Sequence, residues 1–163
     1  MNRRLSIALV LLLLAPCASS RANENDPVDA TLDDFHRAAA TADYQRYTAL
    51  MAEQIVFLGT DASERWQGQA FADFARPHFE SGRGWEYRPR QRRVRLSPNG
   101  EVAWFDELLD HDRLGTCRGS GVLVRESGRW KVAQYNLSVP IPNDLVDSVA
   151  DQIRAREDVD GKR

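Results

Sequence analysis

The chain predicts an α+β domain in which helices come first and an antiparallel meander of strands follows. Three observations carry this. Apolar residues recur at helical spacing as far as Phe79, the period changes to two from Gly84 onward, and Asn99-Gly100 stands within the second pattern as a hairpin turn.

Taken in order, Val28, Leu32, Phe35 and Ala39 fall on one helical face, with His36 and Ala42 beside the stripe. Asp26-Pro27 supplies a cap and a proline at the first helical position. Asp43 starts a second short helix whose apolar face is Tyr44, Tyr47, Leu50 and Met51. Ile55 to Leu58 reads as a short strand ending at Gly59, followed by a polar turn from Thr60 to Arg65 and then Trp66-Gln67-Gly68. A third helix from Gln69 buries Phe71, Phe74 and Ala75, with His78 and Phe79 near its end and Pro77 marking a kink or its last turn. Trp85 to Leu96, Glu101 to Asp112, Thr116 to Glu126 and Arg129 to Val139 then form the meander. Pro140 and Pro142 end it, and Asn143 caps a terminal helix through Arg156.

Residues 1–22 differ from the rest and read as a secretory signal. Arg3 and Arg4 precede an apolar run from Leu5 to Ala15, and small residues cluster from Ala15 to Ala22. A run of roughly ten residues is too short for a spanning helix, which needs about 20. Cleavage is expected after Ala22. An alternative is a lipoprotein acylated at Cys17, although Pro16 fits that motif poorly. Both readings place the mature protein outside the cytoplasm, periplasmic or secreted, with no spanning segment after processing. The organisation expected is therefore a signal over 1–22, one domain over 23–156 and a polar tail over 157–163.

Composition narrows the function. Hydrophobic residues at 42% and charged residues at 28% exclude a disordered tail, a collagen-like repeat and a polytopic membrane protein. Cleavage after Ala22 removes Arg3, Arg4 and Arg21 from 22 basic residues and nothing from 24 acidic ones, so the formal charge moves from −2 to −5. Only Cys117 survives, so no intramolecular disulfide can form, and its strand setting favours a buried thiol. The run from Arg88 to Arg95 is rich in arginine, but it lacks interleaved aromatics and belongs to an acidic exported protein. It reads as a solvated, ion-paired strand, and no nucleic-acid partner is expected. His36, His78 and His111 lie far apart in sequence, so no metal is expected. No cofactor motif occurs either, since Gly119-Ser120-Gly121 lies inside a strand pattern and suits bending.

Four phrases carry a family resemblance: Asp43-Tyr44 with Leu50-Met51-Ala52 and Ile55-Val56-Phe57; Trp66-Gln67-Gly68; Gly119 to Leu123; and Gly128-Arg129-Trp130-Lys131-Val132. In order and spacing they resemble the SnoaL-like branch of the nuclear transport factor 2-like superfamily over residues 28–142. Gly59-Thr60-Asp61 with Glu64-Arg65-Trp66 looks closest to the subgroup described as ketosteroid-isomerase homologues of unknown role. The resemblance implies a cone, a strongly curved antiparallel sheet wrapped around the N-terminal helices and open at one end to a pocket. It also implies a homodimer. Ketosteroid isomerisation itself needs a base, a tyrosine and a protonated acid. Here the base position falls near Gly59 with Asp61 two residues on, the tyrosine position falls at Phe35, and the acid position at Gly121 or Val122. That reaction is not expected.

The candidate catalytic set is Asp61 and Glu64 in the loop after the first strand, with His36 beside the first helical stripe. Two carboxylates in one rim loop suit acid/base work, while an Asx-turn and a helix cap are the structural alternative. Trp66 reads as wall packing or a stacking surface. On the last strand Trp130, Val132, Gln134, Asn136 and Ser138 share one face and Lys131, Ala133, Tyr135, Leu137 and Val139 the other, and either could face the pocket. Trp104, Asp106 and Leu108 against Ala103, Phe105, Glu107 and Leu109 carry the same ambiguity. Arg118 is placed to neutralise Glu107, an acidic ligand or a cross-strand carboxylate. Candidate ligand contacts are therefore Trp66, Trp104, Glu107, Arg118, Gln134, Tyr135 and Asn136. Two functions remain open: binding a small, partly apolar molecule without chemistry, or an isomerase, dehydratase or hydrolase using the rim carboxylates.

Overall fold

Helix α1 (Asp26–Ala40) forms where the apolar stripe predicts it, and Val28, Leu32, Phe35 and Ala39 are all buried along one side. The computed structural model describes residues 26–160, so the signal segment and its Cys17 alternative lie outside the described residues. Helix α2 (Tyr44–Ala49) starts at Asp43, whose carboxylate accepts the Arg46 backbone N–H at 2.9 Å as an N-cap. Strand β1 (Met51–Leu58) is longer than its apolar core, and β2 (Arg65–Gln67) occupies the segment expected as turn and helix entry. Helix α3 (Gln69–Glu80) holds Pro77 in its last turn and buries Phe71, Ala75 and Phe79.

The meander then runs through β3 (Arg88–Leu96), β4 (Val102–His111), β5 (Gly115–Glu126) and β6 (Arg129–Ser138). Six strands form one sheet in the order β2-β1-β6-β5-β4-β3. The sheet is mixed where an antiparallel one was expected, because β1 joins β6 in parallel, Phe57 opposite Tyr135. The reason is the chain order: β1 enters after α2, pairs antiparallel with its neighbour β2 on one edge, and on the other meets the last strand, β6. After β6 a short 3-10 turn (Asn143–Leu145) leads into α4 (Val146–Asp160), so the terminal helix continues through part of the segment expected as a tail.

Two β-bulges decide which side chains face the helices. In β6, Leu123 pairs with Val132 while Val122 pairs with Gln134, which leaves Ala133 as an extra residue. Trp130 and Val132 are buried before the bulge, Tyr135 and Leu137 after it. Neither of the two faces read from strict alternation turns inward over the whole strand. In β3 the bulge at Arg90 likewise turns Arg92 and Val94 inward while Arg93 and Arg95 face out. In β4 the inward set is Ala103, Phe105, Glu107 and Leu109, all buried.

The core is one continuous cluster between α1, α2, α3 and the inner sheet face, dominated by aromatic rings. Phe57 stacks on Phe71 at 4.1 Å and on Tyr135 at 5.6 Å, while Phe35 stacks on Tyr47 at 4.4 Å. Each such pair contributes about 0.5–1.5 kcal/mol beyond its area burial. On the far side of α1, buried Asp34 takes Arg37 and Arg46, tying α1 to α2. Cys117 is free and buried, and burial pushes its thiol up.

Candidate functional site

Between the helices and the inner sheet face lies a cavity of about 230 Å³. Its walls come from α1 (Phe35, His36, Ala39), α2 (Tyr47), the end of β1 (Phe57, Gly59, Thr60), α3 (Phe71, Phe74, His78) and β6 (Tyr135, Leu137). Glu64, Trp66, Trp85 and Tyr87 complete the lining. Aromatic side chains outnumber every other class there. Among the lining residues no lysine or arginine occurs.

The polar wall is built on a carboxylate that does not itself line the cavity. Glu107 on β4 is 1% exposed, and it accepts three hydrogen bonds. His36 Nε2 lies 2.7 Å from its Oε1, the Tyr135 hydroxyl donates to the same oxygen at 2.8 Å, and Arg92 Nε donates to Oε2 at 2.8 Å. Arg92 in turn donates through Nη1 to Asp33 at 2.8 Å and to the Asp29 carbonyl at 3.1 Å, both on α1. A carboxylate without partners in such a place would cost several kcal/mol, so the network is what allows an ionised Glu107 there. Burial alone would raise its pKa. The hydrogen bond and charge of His36, followed by the charge and hydrogen bond of Arg92, outweigh that and hold it below the ordinary carboxylate range. Burial, and then the Glu107 charge and hydrogen bond, push the Tyr135 hydroxyl far above its usual range, so it stays a neutral donor.

This geometry fixes the histidine tautomer. An ionised carboxylate only accepts, so the hydrogen between His36 and Glu107 belongs to Nε2. In the neutral ring Nδ1 then carries the lone pair. The His36 side chain is 11% exposed and lines the cavity, so this imidazole is held through Nε2 by a buried anion at the cavity wall. Tyr135 Oη, 3.5 Å from His36 Nε2, sits beside it. Gly119 makes the arrangement possible. A Cβ there would lie 2.2 Å from Tyr135 Oη and 2.9 Å from Glu107 Oε1, so the glycine serves close approach as well as bending.

The other sequence-predicted residues divide. Glu64 and Trp66 line the cavity with His36, and Trp66 stacks on Phe74 at 4.2 Å. Asp61 does not. It is exposed, and its Oδ1 accepts the Ser63 hydroxyl at 2.6 Å and the Ser63 backbone N–H at 2.9 Å, the local Asx-type turn. Those two bonds hold its carboxyl below the ordinary range. Trp104, Arg118 and Gln134 point outward, because their neighbours Ala103, Phe105, Cys117, Gly119 and Tyr135 point in. Trp104 is 49% exposed, opposite Val122 and across from Gln134. Asn136 lies on the outer side of β6, next to buried Tyr135 and Leu137. Arg118 does not neutralise Glu107; Arg92, a member of the arginine run, does. Of the rest of that run, Arg88 pairs with Glu86 and Asp112, Arg90 with Asp110 and Arg93 with Asp106, while Arg95 donates to the Val94 carbonyl at 3.1 Å.

Among the described residues no group of three or more His, Cys, Asp or Glu side chains is placed to hold a metal ion. Among the same residues no helix is long and apolar enough to cross a membrane.

Comparison with known proteins agrees with the fold. The profile of the SnoaL-like domain matches residues 28–142. No curated protein matches the chain. Among solved structures, an NTF2-like protein of unknown function from Pseudomonas putida KT2440 is 16% identical, with a TM-score of 0.61 over 73% of this chain and 88% of that one. A candidate dehydratase of the NTF2-like family from Streptomyces avermitilis is 12% identical, with a TM-score of 0.62 over 72% of this chain and 96% of that one. A candidate scytalone dehydratase from Novosphingobium aromaticivorans DSM 12444 is 12% identical, with a TM-score of 0.60 over 72% and 85%. At such identities the likeness establishes the fold.

Proposed function

The chain belongs to the SnoaL-like domain family, and we propose that it is a small-molecule acid/base enzyme, an isomerase or dehydratase, with His36 as the proton-transferring group. The observation that carries this is the single oxygen of Glu107 that holds both His36 Nε2 at 2.7 Å and Tyr135 Oη at 2.8 Å on the wall of an aromatic cavity. His36 Nδ1 takes a proton from a substrate carbon, and the C–H electron pair becomes part of a new double bond. The imidazolium then returns the proton. Delivered to the far carbon of a neighbouring double bond, whose π pair forms the new C–H bond, it completes an isomerisation; delivered to a hydroxyl on the adjacent carbon, whose C–O bond breaks with its electron pair leaving on oxygen, it releases water. Glu107 stabilises the imidazolium, and Arg92 keeps Glu107 ionised. The two dehydratase names among the similar folds support the second outcome.

The cavity suits a ring body of modest size, since an apolar cavity of about 150 Å³ already takes benzene. The mature protein acts outside the cytoplasm, released by the signal over 1–22, and pairs with a second copy through the outer sheet face that carries Trp104.

Deuterium wash-in tests the chemistry without the native substrate. The mature chain is incubated in D2O with a panel of two-ring ketones such as tetralones, and loss of the α-proton signal is followed by NMR. Exchange above the buffer rate is expected for at least one ketone, falling by about 10²–10⁴-fold in His36→Gln. A ketone that binds by calorimetry, with no member of the panel exchanged faster than in buffer, would overturn the enzyme reading in favour of a carrier.

A further inference from the structure

We infer that the ligand is an aromatic ammonium ion, its rings in the aromatic cavity and its cationic end on Glu64 at the mouth. This rests on the reading of the cavity as a small-molecule site. Glu64 is the carboxylate among the lining residues. Its Oε2 accepts the Asp61 backbone N–H at 3.2 Å, and among the described residues no Lys or Arg forms an ion pair with it. On an open loop water would satisfy such a group. At a cavity mouth an entering ligand displaces part of that water and must return a donor. An alkylammonium returns both N–H donors and a full charge.

The walls favour the same ion. Trp66, Phe74 and Trp85 line the same cavity as Glu64, and the negative quadrupole of an aromatic face attracts a cation within about 6 Å of its centroid. An anionic ligand would meet the Glu64 charge with no lysine or arginine in the lining to offset it, and of the two imidazoles there His36 is already engaged by Glu107. The position of Glu64 is also built in. A Cβ at Gly59 would lie 2.2 Å from Glu64 Oε2 and 2.8 Å from Glu64 Cβ, so the carboxylate lies against bare backbone at the end of β1. The loop behind it is closed by Gly59 N–H to the Glu64 carbonyl at 2.9 Å and Glu64 N–H to the Asp61 carbonyl at 2.9 Å.

The test is calorimetric titration of the mature protein at neutral pH with three matched probes: 2-naphthylmethylammonium, 2-naphthalenemethanol and 2-naphthoate. The ammonium is expected to bind about tenfold tighter than the alcohol, and the naphthoate weakest, from the worth of one charge-assisted contact. Glu64→Gln is expected to bring the ammonium to the level of the alcohol. Gly59→Ala, which displaces the carboxylate without removing its charge, is expected to narrow the gap. Alcohol binding that equals or exceeds ammonium binding overturns the inference and leaves the cavity reading intact. So does an ammonium preference that survives Glu64→Gln. Binding of none of the three overturns both.

Discussion

Replacing Glu107 by Gln tests whether the buried network is an ionised one. The change keeps shape and removes one charge. Glu107 accepts from three donors, His36, Tyr135 and Arg92, whereas glutamine offers one oxygen and turns an NH2 group toward the remaining donors. The loss falls mainly on Arg92, whose side chain is 9% exposed and which keeps only the Asp33 and Asp29 contacts. Breaking a fully buried pair from one side costs about 3–5 kcal/mol. Because Asp33 remains, the lower end applies, so about 3 kcal/mol is expected, or roughly 10 °C in Tm for a domain of this size.

Urea titration at several pH values measures this together with its sign. Glu107 is held below its ordinary pKa in the folded state. Between the folded and unfolded values the unfolded chain binds more protons, so the contribution is complete above the unfolded value, about 4.3. It is lost as pH falls through the folded value. The wild type should therefore lose stability in acid by a step that Glu107→Gln lacks. A loss below about 1 kcal/mol at pH 7, with acid limbs that coincide, would refute the ionised network.

Two further changes follow from local geometry. Gly119→Ala forces a methyl group toward Tyr135 Oη, Tyr135 Cζ and Glu107 Oε1, and should cost about 1–3 kcal/mol, part of it recovered in a Tyr135→Phe background, which removes the closest of the three contacts, measured by the same titration. Trp104→Ser should leave domain stability within about 0.5 kcal/mol and, on the proposed pairing through the outer sheet face where the indole lies exposed, lower the sedimentation coefficient from that of a dimer to that of a monomer.

The helices and the meander were legible because each rests on a local period. The Val28–Leu32–Phe35–Ala39 stripe is buried as its spacing requires, and the hairpin closes at Asn99-Gly100. The inward faces of β3 and β6 were not legible, because one extra residue at Arg90 and one at Ala133 reverses every later side chain. The parallel joining of β1 to β6 depends on contacts across most of the domain and leaves no local mark. The Glu107–Arg92 pair did have a signal. The hairpin pairs Leu96 with Ala103, and counting outward from it at constant register sets Arg93 opposite Asp106 and Arg92 opposite Glu107. That count stops at Arg90, where the bulge breaks it. For Asp61 the Asx-turn alternative is the one the structure bears out: an Asp two residues before a serine satisfies itself within its own turn and need not face a pocket.

The network that orients His36 also holds α1 to the sheet, and this limits which variants can separate chemistry from folding. Donors and acceptors alternate from the cavity outward: imidazole, Glu107, Arg92, and then Asp33, whose side chain is 64% exposed. The chain of charges thus ends in water, which lets a buried carboxylate and a buried guanidinium persist without an isolated charge in the core. Under the proposed function Glu107 and Arg92 are therefore positioning and structural residues at once, and a loss of proton exchange on removing either would arise partly through the fold. His36 differs because it lines the cavity and its loss leaves Arg92 still paired with Glu107. A role in chemistry has to be read from His36 variants, with Glu107 variants serving to show how that imidazole is held.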